Sequence, residues 1–317
     1  MFDPAVASTG TFARGEQTAV GKLIGPRHFS TGTPMFGAGG YLVKDSAFAD
    51  DSAARLSAMG AIALKQYYQP RRDQRQWLVE AARKRGDLLV TGEGMDLSYT
   101  FGMIMDGQTA WEHPLLDLPL YDDVVQFIAK SGTQYNPELI TPGQGLYLIE
   151  YYMAEKGPDQ AKDPRQQLWV PWTDLYRKTN FTRRPLSEYP AVLSVQGVKE
   201  IVRAGGGVGV GSHGQDMGLG THREIWTFAL ALDPIEALEA ATIVNARYLG
   251  MDEDLGSITV GKIADFAVLD ADPLADIRNT TSVRFVMSDG VLYDALTLDQ
   301  QWPSVRPYGP RRWSSVR

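Results

Sequence analysis

From Pro26 onward, short runs rich in strand-forming residues alternate with segments of helical apolar spacing. No other feature restricts the fold as much, because strand, helix and strand in succession is the unit from which parallel sheets are wound. The pattern predicts strands over 27–30, 61–65, 87–91, 108–112, 133–140 and 208–211. Between them it predicts helices over 45–59, 71–85, 98–105, 121–131 and 192–204, with Gly86 as the stop of the second. Six strands fall short of the eight that close a barrel, so the sequence reads as an open α/β sheet or an incomplete (β/α)8 barrel.

Over 141–190 both periods fade while Pro, Trp and Tyr accumulate, as expected of a lid or binding insertion. Its rings, among them Tyr147, Tyr151, Tyr152, Trp169 and Trp172, either wall a substrate cleft or pack the insertion itself. Further on, Asp233-Pro234-Ile235-Glu236 combines an N-cap, an N1 proline and a capping-box glutamate, which opens a helix running to Leu249 before Gly250. After that helix the period falls to two. Segments 266–269, 283–287 and 291–293 read as strands, the last two joined by the hairpin turn Asp289-Gly290. The Arg- and Pro-rich end over 300–317 reads as a solvated or loosely docked end. The expected organisation is a catalytic domain over 1–250 interrupted by 141–190, a small β portion over 251–296 and a tail over 297–317.

Charge and composition remove several function classes. The 31 Lys and Arg against 38 Asp and Glu leave a net charge of −7, which gives no footprint for nucleic acid or an anionic membrane. No run reaches the roughly 18 consecutive apolar residues a span needs, and the first residues lack the order of a signal peptide. A cytoplasmic protein is the default expectation, or a periplasmic one if a longer parent chain is exported. Without Cys there are no disulfides, no thiolate metal ligands and no Cys nucleophile.

In a parallel sheet, reactive groups gather at the C-terminal strand ends. Those ends carry Lys65, then Thr91 and Glu93, then Glu112 and His113, then Ser212 and His213. A lysine straight after Ala61-Ile62-Ala63-Leu64 is costly to bury alone. Lys65 is therefore a rim lysine paired with a carboxylate, a carbamylated lysine that bridges metals, or a Schiff-base amine. Of the four histidines, His113 and His213 lie just past strand ends, where an imidazole serves as a metal ligand or an acid/base group. For His113 the plain alternative is a buried, hydrogen-bonded ring. His213 sits among the glycines of 208–215, which admit a ligand close to the backbone, with Gln215 two residues on. His222 starts a helix and His28 lies within a strand. Residues 209–214 match G-x-G-x-x-G, but loop follows rather than helix and no second βα unit completes the motif, so nucleotide binding is not expected.

Longer motifs carry a resemblance. Asp233-Pro234-Ile235-Glu236-Ala237-Leu238, Ala240-Ala241-Thr242 and Asn245-Ala246-Arg247-Tyr248-Leu249-Gly250 continue into Leu255-Gly256-Ser257-Ile258 and Val260-Gly261-Lys262-Ile263-Ala264-Asp265. The composite resembles the C-terminal portion of the metal-dependent amidohydrolase superfamily, in its imidazolonepropionase-like branch. Ile24-Gly25-Pro26-Arg27 and Gln69-Pro70-Arg71-Arg72 resemble the subgroup fused to an N-terminal β-propeller.

The resemblance implies a distorted (β/α)8 barrel and a small β-sandwich. It implies one or two divalent metals, zinc by preference, held by Lys65 as the carbamylated bridge, His113 from the sixth strand, Glu93 beside the fifth-strand position Thr91, and His213 in place of the usual eighth-strand Asp. His213 and Glu93 are then the catalytic candidates, and His222 and Gln215 the substrate-binding ones. No His-x-His pair occurs, and Met1 falls where the second strand of the family ends, so the resemblance also implies an incomplete barrel. Its partners would be a small-molecule substrate and the missing N-terminal segment of a parent chain, with homo-oligomerisation open. The leading reading is a hydrolase of carbon–nitrogen bonds. The alternatives are a lyase using Lys65 as a Schiff-base amine, and a silent ligand-binding remnant.

Overall fold

The computed structural model describes residues 1–94, 96–141, 146–177 and 181–309, in two compact units. The first comprises Met1–Pro137, Glu200–Gly209 and Val244–Asp252, the second Glu138–Lys199, Val210–Ile243 and Glu253–Arg317.

The first unit is an α/β layer. Strands β1 (Phe2–Asp3) and β2 (Phe29–Ser30) form a small parallel pair. Strands β3 (Met35–Phe36), β4 (Ala63–Tyr67), β5 (Leu89–Glu93), β6 (Ala110–Glu112) and β7 (Gln134–Asn136) form a five-stranded parallel sheet in that spatial order, and a single bridge from Tyr135 to Val208 continues it. Among the described residues the sheet has no further strand and no closed barrel forms. Helices Ser46–Ala58, Arg72–Arg85, Leu97–Met105 and Asp122–Ser131 alternate with the strands. Asp45 and Asp96 cap two of them by accepting Phe48 N–H and Tyr99 N–H, each at 2.8 Å. Gly86 stops the second at φ 75°, as its sequence position requires. Leu56, Leu64, Leu78 and Val90 are buried between sheet and helices.

Three expectations are corrected here. Segment 27–30 does not enter the main sheet; its edge is β3, too short to show a period. Segment 208–211 adds one bridge only, because Val210 N–H goes to Ala240 O at 3.1 Å. The strand expected over 133–140 ends at Asn136, since Leu139 and Ile140 N–H donate to the Glu224 carboxylate at 2.6 and 2.9 Å. Helix Ser8–Ala19 was not expected at all. Its N-cap, Ala7, supplies no side-chain acceptor, and its buried residues are Ser8 and Thr11 rather than an apolar stripe.

In the second unit, the segment expected to be irregular holds helices Leu148–Lys156, Pro164–Trp169 and Trp172–Arg177. Its rings pack. Tyr152 is buried, edge-on to Tyr151 and Trp226, and Trp169 Nε1 donates to Leu296 O at 2.9 Å, although Tyr147 stays exposed. The Trp172 side chain and residues 142–145 and 178–180 lie outside the description, as do 310–317 of the tail. Helix Gly220–Phe228 follows. Helix Pro234–Ala241 starts on its capping box, with Asp233 N–H donating to Glu236 at 2.9 Å. It stops at Thr242 (φ −125°, ψ −92°), so the helix expected to reach Leu249 is split, and Ile243–Tyr248 is separate. Strands β8 (Phe266–Leu269), β9 (Val283–Ser288), β10 (Val291–Asp294) and β11 (Gln300–Trp302) form an antiparallel sheet. The Asp289-Gly290 turn has positive φ at both positions, 50° and 76°, as its hairpin type demands. Strand β11 comes from the segment expected to be solvated or loosely docked, and it docks at the edge of this sheet. Among the described residues no helix is long and apolar enough to cross a membrane.

Candidate functional site

Register assembles the cluster in the first unit. Lys65 pairs with Thr91, Thr91 with Ala110, and Glu93 with Glu112 in the parallel ladder. Alternate residues share a face, so Lys65, Tyr67, Thr91, Glu93 and Glu112 project together near the C-terminal ends of β4, β5 and β6. All but Tyr67 are at most 3% exposed.

The Lys65 ammonium donates to Glu112 Oε2 and lies 3.5 Å from Glu93 Oε1. Glu112 Oε1 accepts from Thr91 Oγ1 at 2.5 Å and from the Tyr248 hydroxyl, and the two hydroxyl oxygens lie 3.0 Å apart. His113 Nε2 is 2.6 Å from Glu93 Oε2. Burial works to raise the Glu93 pKa, but the hydrogen bond from His113, the charges of Lys65 and His113 and a hydrogen bond from Tyr67 outweigh it and hold the carboxyl below its usual range. Glu93 is thus an ionised, buried carboxylate. His113 has φ 72°, a left-handed backbone uncommon for a non-glycine residue, and its N–H is tied to Asn136 O at 3.1 Å.

Imidazole and carboxylate are the donor types a zinc-like divalent ion takes. Glu93 and His113 therefore fit such an ion chemically, and the Lys65 ammonium lies against both Glu93 and Glu112. In the second unit, Glu138 and His213 each have a ligand-type atom within 4.8 Å of the other's, and both have positive φ, 49° and 52°. Gln215 Nε2 is 3.5 Å from His213 Nδ1, both side chains being exposed. His222 is partly buried. Loss of solvent, with a smaller contribution from Arg165, lowers its pKa to about 4 and keeps the ring neutral. The glycine run 209–214 leads into turns, with no helix until Gly220, so it lacks the strand–helix junction that cradles a dinucleotide.

Lys65, Glu93 and His113 are thus brought together in the first unit, while His213, Gln215 and His222 belong to the second. Reading the strand ends isolates Glu112 but does not give it a role. Tyr67 was missed because the expected strand stops at Lys65; continuing its alternation by two residues would have put Tyr67 on the same face. Tyr248 was not legible, as 136 residues separate it from the carboxylate it meets.

Residues 194–293 match the model of the Amidohydrolase family. A 42-residue stretch is 48% identical to adenine deaminase of Desulforamulus reducens, covering 13% of this chain and 7% of the length of that protein. Among solved structures, a Xaa-Pro dipeptidase with bound methionine in its active site superposes with a TM-score of 0.68 at 18% identity, over 92% of this chain and 75% of that one. Ochratoxinase of A. niger gives 0.66 at 17% identity over 92% and 71%. Phenylurea hydrolase B gives 0.65 at 18% identity over 94% and 74%. At these identities the likeness is one of fold, an α/β fold shared with these three enzymes.

Proposed function

We propose that the chain is a metal-dependent hydrolase of carbon–nitrogen bonds in small amide-like molecules, of the imidazolonepropionase-like branch. One observation carries the reading: Lys65, Glu93, Glu112 and His113 meet, largely buried, at the C-terminal ends of parallel strands. The match of residues 194–293 to the Amidohydrolase family supports it.

Glu93 and His113 would hold the divalent ion, zinc by preference, with Lys65 as a further ligand once carbamylated. When bound, such an ion polarises a carbonyl and brings a water pKa down to about 7. The side chains do the rest. Tyr67 and His113 orient the ionised Glu93, and Thr91 and Tyr248 fix Glu112 beside Lys65. Carbamylation of Lys65 would turn one cation and two carboxylates into three buried anions, so it becomes favourable only together with metal loading. His213 is the proposed carrier of the proton to the leaving nitrogen and a further ligand, and Gln215 and His222 the proposed substrate contacts.

The test is hydrolysis of a panel of N-acyl amino acids, dipeptides and cyclic amides by the zinc-reconstituted chain, beside Glu93→Gln and His113→Asn. Metal-dependent release of amine by the unsubstituted chain only is the expected result. Equal turnover by all three proteins, or none by any, defeats the reading.

A further inference from the structure

A chain of five aromatic rings leads away from the cluster of the first unit, and no step above uses four of them. Phe36 meets Tyr41 with ring centroids 5.7 Å apart and Tyr67 at 5.1 Å; Tyr67 meets Tyr68 at 4.9 Å, and Tyr68 meets Tyr99 at 6.0 Å. The chain of rings ends at the ionised site, because Tyr67 shares the sheet face of Lys65 and the Lys65 ammonium lies 5.8 Å from the centre of the Tyr67 ring. At the other end the rings reach solvent. Phe36, Tyr41 and Tyr68 are 38%, 44% and 37% exposed, an unusual cost for three large rings of one chain of contacts.

Tyr68 is held there against its preference. Its φ is 58°, a left-handed backbone that bulky side chains avoid, on the residue immediately after β4. The chain opposite is shaped to permit this. Gly37 N–H donates to Tyr67 O at 2.7 Å, and a Cβ on Gly37 would come within 1.8 Å of Tyr68 O. Strain concentrated on one ring next to a reactive cluster is a mark of function.

We infer that these rings form a substrate subsite that selects an aromatic acyl group next to the scissile C–N bond. The inference rests on the hydrolase reading and names its substrate class. Most of the ring pairs meet edge to face, an arrangement a further ring continues without rearrangement. A cationic ligand is disfavoured, because Lys65 already lies over Tyr67. Tyr99 is the fixed floor, with its hydroxyl donating to Gln69 O at 3.2 Å and the Arg75 guanidinium 4.9 Å from its ring centre.

Binding tests the subsite apart from turnover. The affinities of N-benzoyl-L-alaninamide and N-acetyl-L-alaninamide are measured by calorimetry on the zinc-loaded chain, on Tyr68→Gly, which suits the backbone angle, and on Tyr41→Ala in the exposed loop. The benzoyl probe is expected to bind about ten-fold more tightly than the acetyl probe, a preference that falls to about two-fold or less in either variant. Equal affinity of the unsubstituted chain for the two probes, or a preference untouched by both variants, overturns the inference even if amides are hydrolysed. A benzoyl preference without hydrolysis of any substrate would leave the subsite standing and remove the hydrolase reading instead.

Discussion

Lys65 donates to Glu112 across β4 and β6, strands that are not neighbours but flank β5, and both side chains are almost wholly withdrawn from water. Thr91 on the intervening strand supplies the hydroxyl that meets the second oxygen of the same carboxylate. Three strands are thereby cross-linked through one glutamate.

Removing the cation should leave that glutamate, and Glu93, uncompensated. Lys65→Met is expected to lower stability by about 3–5 kcal/mol, the usual cost of breaking a buried pair from one side. The double variant Lys65→Met with Glu112→Gln should recover part of the loss, because the partners share one interaction. Denaturant midpoints of the three proteins check this; an additive double variant would mean the two side chains are not coupled.

Tyr67→Phe deletes one of the hydrogen bonds that hold the Glu93 pKa low. The carboxyl should titrate at higher pH, and zinc affinity near pH 6 should fall by about ten-fold, typical of losing an outer-shell partner. Competition against a zinc-sensitive dye gives the affinity. An unchanged value would show that Tyr67 does not orient the ligand.

Stability should weaken as pH rises through the neutral range, because of Glu224. Burial raises its pKa from 4.5 to about 8, against the opposing Leu139 and Ile140 N–H bonds. Between those values the folded chain holds a proton that the unfolded chain has released, so stability is present below about pH 4.5 and is lost as pH rises toward 8. The loss is on the order of a few kcal/mol. Unfolding curves of Glu224→Gln across this window should be flatter than those of the unsubstituted chain.

The acid side should carry the opposite slope from His222, whose pKa falls from 6.5 to about 4 in the fold. Its unfolded form takes up a proton first, so stability declines as pH drops from 6.5 toward 4. His222→Gln should lessen that decline, read from unfolding curves below pH 6.5.

Gly37→Ala should destabilise by about 1–3 kcal/mol, since the new methyl would press on Tyr68 O and the backbone must shift. Pairing it with Tyr68→Gly tests the cause. If the strained turn is the source, relaxing residue 68 recovers part of the loss; no recovery places the clash elsewhere.

How much of this was legible in the sequence follows from the range of each interaction. Alternation and capping act within a few residues, so the helix at Arg72–Arg85, the hairpin at Asp289-Gly290 and the strand-end set Lys65, Glu93, Glu112 and His113 could be read directly. Helix Leu148–Lys156 could not, because it shows no one-sided apolar stripe to mark it. The early end of β7 was hidden because its cause, Glu224, lies 84 residues further along the chain than Ile140. Tyr248 was hidden for the same reason, and Tyr68 because nothing in its neighbours announces a left-handed backbone.

Zinc titration of the metal-stripped chain, followed calorimetrically with Glu93→Gln and His113→Asn in parallel, bears most directly on the claim that these side chains hold a divalent ion. The account predicts at least one tight equivalent for the unsubstituted chain and its loss in both variants, with far-ultraviolet circular dichroism unchanged. An unsubstituted chain that takes up no zinc, or variants that bind it as tightly, would contradict it.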